Sequence, residues 1–127
     1  MIEFKLSTAD RKFLLEAARN GGRQRGFECY RRRGLPLMAY HCKKLGVVVK
    51  HPKFILDPRT PLCVRVPTIR LDKYWVAQPV VEKRDLWMAV AIIERRMKPY
   101  RKYGIHPDIH TQNVGWWRGV RPVLFDW

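Results

Sequence analysis

The sequence predicts an α+β protein, on three observations. Helical apolar spacing occurs near the start and again after residue 84. Between the two lie short β-prone runs separated by turn residues. The last stretch alternates strand, turn and strand. A chain of 127 residues, 46% hydrophobic and 12% aromatic, can bury a core and is expected to fold as one domain.

The first helix is predicted over 8–19. Ser7 is its cap, with Asp10 three residues on, and Ala9, Phe13, Leu14 and Ala17 follow at helical spacing until Asn20-Gly21-Gly22 stops the chain. Strands are predicted at 26–30, 37–41 and 45–50, separated by Arg33-Gly34-Leu35-Pro36 and Lys43-Lys44-Leu45-Gly46. Prolines at 52, 58, 61 and 67 argue against a long helix in that region. Two more strands are read at 62–66 and 74–78, the second ending at Pro79. From Asp85 the period changes: Leu86, Ala89, Val90, Ile93, Met97 and Tyr100 predict an amphipathic helix over 84–101, ending near Gly104. Val114-Gly115-Trp116-Trp117, a turn at Arg118-Gly119, and Pro122 to Trp127 read as a hairpin.

Charge narrows the partners. Twenty-six Lys and Arg against eleven Asp and Glu give a formal charge of +15, which attracts phosphate-rich or acidic molecules. Arg31-Arg32-Arg33, and Arg95-Arg96 with Lys98, Arg101 and Lys102, are candidate contacts to a nucleic-acid backbone, with Trp116, Trp117 or Tyr103 as stacking faces. Weak, nonspecific nucleic-acid binding is expected from them, since no recognition motif accompanies the charge. Cys29, Cys42 and Cys63 are isolated thiols without a Cys-x-x-Cys pair. No run approaches the roughly 20 apolar residues that span a bilayer, and the start lacks the apolar stretch of a signal peptide. A cytoplasmic protein with no membrane partner is expected.

The chemistry concentrates in Gly104-Ile105-His106-Pro107-Asp108-Ile109-His110-Thr111-Gln112-Asn113, followed by Leu124-Phe125-Asp126-Trp127. His-x-Asp-x-His-x-x-Asn with a later Phe-Asp-Trp resembles the catalytic and metal-binding motifs of the protein-kinase-like superfamily, closest to its aminoglycoside-phosphotransferase branch. Upstream, Val47-Val48-Val49-Lys50 resembles the family's lysine strand, and Tyr74-Trp75-Val76-Ala77-Gln78-Pro79-Val80 its strand entering the hinge. The similarity covers about residues 45–127.

The resemblance implies a minimal kinase-like fold: a sheet-rich lobe over 1–78, a hinge at 79–83, and a helix, catalytic loop and metal hairpin over 84–127. It implies ATP and Mg²⁺ as cofactors and transfer of the γ-phosphoryl to a hydroxyl, with a protein as the expected acceptor. Asp108 is then the base, His106 orients the loop, and Asn113 and Asp126 hold Mg²⁺, hard oxygen donors suited to that ion. Lys50 takes phosphate, and the carbonyl of Gln78 and the N–H of Val80 face adenine. Glu16, on the first helix, substitutes for the glutamate that pairs with that lysine. Gly21-Gly22-Arg23-Gln24-Arg25-Gly26 is glycine-rich but follows a helix and is not a Gly-x-Gly-x-x-Gly loop. The alternative is a pseudokinase-type binding or inhibitor protein, acting on an acidic protein or a nucleic-acid-bound target without catalysis. His106-x-Asp108-x-His110 also admits a transition-metal reading, as in a small hydrolase. The small size suits a virus or mobile element acting on a host.

Overall fold

Ser7 starts the first helix as its hydroxyl predicts. A computed structural model describes residues 4–20, 27–30, 39–51 and 59–125, with 27–30 described by backbone pairing only. In it, α1 runs Thr8–Arg19, and the Ser7 Oγ accepts from the Asp10 N–H at 3.0 Å. Leu14, Ala17 and Ala18 form the buried stripe.

Five antiparallel strands follow: β1 (Phe27–Tyr30), β2 (Ala39–Cys42), β3 (Val47–Lys50), β4 (Ile69–Arg70) and β5 (Val76–Pro79), in the order β1-β2-β3-β5-β4. The segments predicted at 45–50 and 74–78 are therefore neighbours in one sheet. Between β2 and β3 the chain turns over Lys43 to Gly46, where Gly46 takes φ +63° and donates to the Lys43 carbonyl at 3.3 Å. Tyr40 faces Val49, Cys42 faces Val47, and Val49 faces Ala77 across the ladders. Alternation sends these residues to one side, where they form a single buried cluster with Leu14 and Ala18 of α1. Each large aliphatic side chain removed from water there contributes roughly 1.5–3 kcal/mol.

The short strand β4 was not among the predicted ones. Its signal is Asp72, whose carboxylate accepts from the N–H groups of Tyr74 (2.8 Å) and Trp75 (2.9 Å), a side-chain turn that folds 69–70 back on β5. Asp72 also pairs with Arg19 at 3.2 Å, an ion pair whose arginine is 60% exposed and adds little.

The chain divides into two compact units, Met1–Lys53 with Thr68–Val80, and Phe54–Pro67 with Val81–Trp127. The second unit holds α2 (Leu86–Met97), a 3₁₀ segment (Lys98–Tyr103), β6 (Val114–Trp117) and β7 (Arg121–Leu124). Its core is Val64, Ala89, Ile93, Met97, Ile105, Val114, Trp116 and Leu124. The helix predicted over 84–101 is thus α-helical only to Met97. Pro99 has no N–H for the carbonyl of Arg95 and its ring crowds that carbonyl, so the last turns tighten to 3₁₀ and end at Gly104 with φ +80°.

Segment 62–66 corrects a prediction in both form and place. It is not a strand of the five-stranded sheet. Val66 donates to the Leu124 carbonyl at 2.9 Å and Leu124 donates to that of Val64 at 2.7 Å, so this stretch clips onto β7 of the second unit. On the other side of the hairpin, Glu82 and Trp116 exchange backbone bonds of 2.8 and 2.9 Å. The turn between β6 and β7 has Arg118 at φ +54° and Gly119 at φ +72°, the hairpin-favouring pattern of positive φ at both central residues. Among the described residues no helix is long and apolar enough to cross a membrane.

Candidate active site

Asp108, His110 and Asn113 come together in the loop between the 3₁₀ segment and β6. Asn113 is the centre of the arrangement and is 2% exposed. Its side-chain Nδ2 donates to the backbone carbonyl of Asp108, and its Oδ1 accepts from the N–H of His110 at 3.1 Å. The two bonds fix which end of the amide is oxygen. The Asn113 N–H donates to the His110 carbonyl at 3.1 Å, closing the turn, and the Asn113 carbonyl accepts from the N–H of Phe125 at 3.1 Å. Phe125 directly precedes Asp126, which lies outside the described residues.

With its backbone so held, the Asp108 side chain is left 75% exposed. Nε2 of His110 lies 3.4 Å from its Oδ2. Nδ1 of His110 accepts from the N–H of Gln112 at 3.1 Å. An imidazole nitrogen that accepts carries no proton, so neutral His110 has its proton on Nε2, toward Asp108. His110 is therefore tied to the loop by both backbone groups and by its ring. His106 corrects an expectation. It is exposed, and among the described residues it makes no hydrogen bond, ion pair or ring contact, so orienting the loop falls to Asn113 instead.

A residue missed in the sequence shares that task. Lys83 directs its ammonium at three loop carbonyls, Thr111 (3.0 Å), Gln112 (3.4 Å) and Val114 (2.8 Å), and lies 4.8 Å from the centre of the Phe125 ring. Burial pushes its pKa below the usual lysine value, while the carbonyl dipoles and the ring face favour the cation. In the sequence it reads as one charge in Glu82-Lys83-Arg84, with no signal to separate it from a solvated hinge.

The first unit carries the other predicted residues. Lys50 and Gln78 are both buried, and the register that sets Lys50 opposite Val76 and Val48 opposite Gln78 places them on the same sheet face, away from α1. Gln78 donates through Nε2 to the Thr68 hydroxyl at 3.0 Å. Glu16 is exposed on α1 and forms no ion pair with Lys50. The adenine-facing roles also change. The N–H of Val80 donates to the Gly46 carbonyl at 3.0 Å, extending the β3–β5 ladder past Pro79. Bonded pairs recur every second residue in such a ladder, so Gln78, two residues back, turns its backbone to Val48 as well. Pro79 is tolerated because it falls at the non-bonded position opposite Val47.

Chemically, Asn113 suits a hard cation in part: Oδ1 has two lone pairs and the His110 N–H uses one. Among the described residues no group of three or more His, Cys, Asp or Glu could hold a metal ion, so His106, Asp108 and His110 do not converge as a transition-metal set. Cys42 is buried and Cys63 exposed, both free thiols. Trp116 and Trp117 are buried, their rings covered by guanidinium groups of Arg84 at 4.9 Å and Arg121 at 4.7 Å, so neither is an open stacking face. Arg31, Arg32 and Arg33 lie outside the described residues, as does the stretch 21–26. No family model matches the chain, and no curated protein or solved structure matches it.

Proposed function

We propose that the protein is a kinase-like phosphotransferase that moves the γ-phosphoryl of ATP to a hydroxyl, with a protein as acceptor. The observation that carries this is the Asn113 brace: a buried amide holds the backbone of Asp108 while leaving its carboxylate exposed to a substrate. A base must meet an incoming hydroxyl in solvent-accessible space, yet keep a fixed position, and this loop supplies both. In this reading Asp108 accepts the hydroxyl proton. Asn113 Oδ1 and the carboxylate of Asp126 are the oxygen donors for Mg²⁺, whose role is to neutralise phosphate charge.

A second reading, a pseudokinase-type binder, is favoured by one fact: the Val80 N–H is already bonded to Gly46 and cannot serve adenine. Two measurements separate the readings. Thermal unfolding with ATP, with and without Mg²⁺, reports nucleotide binding, because a ligand of the native state raises its stability. Transfer of labelled γ-phosphoryl, compared between the parent and Asp108→Ala, reports catalysis. A raised midpoint with transfer that drops at least about 100-fold in the variant supports the enzyme. Transfer that survives Asp108→Ala removes it, and a biological effect that persists in that variant without any transfer assigns the protein to the binder reading.

A further inference from the structure

The outer face of the rod formed by α2 and the 3₁₀ segment is not used by the loop or by the core. The core takes Ala89, Ile93 and Met97. Positions 87, 91, 94, 98 and 101, spaced by three and four, run along the opposite side. The ion pair between Arg101 and Glu94 shows that this stripe continues from the α-helix into the 3₁₀ turns. Trp87 is 79% exposed and Tyr103 65%. Arg95, Lys98, Arg101 and Lys102 are exposed between them. At about 1.5 Å per residue in α-helix and 2.0 Å in 3₁₀, the distance from residue 87 to 103 is roughly 26 Å. Along that length the only carboxylate is Glu94.

We propose that this face binds single-stranded nucleic acid, the cations following the phosphates and Trp87 and Tyr103 stacking on bases. Charge complementarity favours a polyanion: four exposed cations face one acid, on a chain with a net charge of +15. The aromatics favour exposed bases over other polyanions, because every base offers a π face to the exposed Trp87 ring and to the side of the Tyr103 ring opposite the Lys102 ammonium, which lies 5.2 Å from its centre. A membrane surface fits poorly, since a helix lying in the interface needs an apolar stripe along its length. Here that stripe is buried as core, leaving Trp87 and Met88 at one end. Glu94 then acts as a brake, neutralising Arg101.

The test uses the full chain and a labelled 20-nucleotide oligo-dT, with affinity read by fluorescence anisotropy over a salt series. Binding should weaken log-linearly with salt, and neutralising Arg95, Lys98, Arg101 and Lys102 to Ser should reduce the slope by about 3, near 0.7 per lost contact. Trp87→Ala and Tyr103→Ala should each weaken binding about 5- to 100-fold at every salt concentration with the slope retained. Glu94→Gln, a near-isosteric change on a half-buried residue, should tighten binding and steepen the slope, and it keeps the test decisive if the fourfold variant is unstable. A parental slope in both the fourfold and the Glu94→Gln variants overturns the proposal. So does competition by poly-glutamate equal to that of oligo-dT, which would mark an acidic protein partner. Tighter binding to phosphatidylserine vesicles than to oligo-dT, lost in Trp87→Ala, would overturn it in favour of a lipid surface.

Discussion

Asn113 holds Asp108 by the backbone and not by the carboxylate: its Nδ2 donates to the Asp108 carbonyl while its Oδ1 takes the N–H of His110. The six residues from Asp108 to Asn113 are thereby closed into a turn around one buried amide. The Asp108 side chain itself is left 75% exposed.

Asn113→Ala should destabilise the protein by about 1–3 kcal/mol, because it leaves the part-buried Asp108 carbonyl and His110 N–H without partners. Asn113→Asp should cost a similar amount, since a carboxylate cannot donate to the Asp108 carbonyl. Urea unfolding of both variants checks this. A midpoint unchanged in Asn113→Ala would show that the brace contributes nothing.

Lys83→Met keeps an unbranched apolar side chain but removes the ammonium that bonds three carbonyls and lies over the Phe125 ring. The expected loss is about 1–2 kcal/mol, at the low end for bonds to a charged group because Lys83 is partly exposed. Hydrogen exchange should show faster opening at residues 111–114 and at Phe125, with the protection of β2 and β3 unaltered. Uniform loss of protection across both units would contradict the local role.

The bond from the Gln112 N–H to Nδ1 of His110 fixes a tautomer. With the ring neutral, long-range ¹⁵N–¹H correlation should show the His110 proton on Nε2. The Nδ1–H pattern would mean that the ring does not accept from Gln112, and the Asp108 contact would lose its donor.

Gly115 sits where the hairpin passes closest to Val81. A Cβ at this position would lie 2.5 Å from Cγ2 of Val81 and 3.0 Å from the Glu82 carbonyl oxygen. Gly115→Ala should therefore cost about 1–3 kcal/mol through displaced backbone at the Glu82–Trp116 bridge. Thermal unfolding measures it, with Gly104→Ala as a comparison: φ there is +80° but no atom lies within 4 Å of the added Cβ, so strain alone, about 1 kcal/mol, should remain.

What the sequence determined by itself is local. Ser7 and the spacing of Leu14 and Ala17 specify α1 to the residue, the Lys43 to Gly46 turn specifies the β2–β3 hairpin, and the alternation in 114–124 specifies the last one. Capping, turn geometry and side-chain period all act over a few residues, so they can be read without knowing the rest of the chain. That Asp108 and Asn113 lie close was legible for the same reason, since they share one six-residue loop; the part His110 plays in it was not. Tertiary structure alone decided the long-range partners. Residues 64–66 pair with Leu124, the Val80 N–H goes to Gly46, Glu16 does not meet Lys50, and Lys83 reaches across 28 residues to the Thr111 carbonyl. Each of these depends on which buried backbone group would otherwise lack a partner, and that requirement is set by the packed chain as a whole.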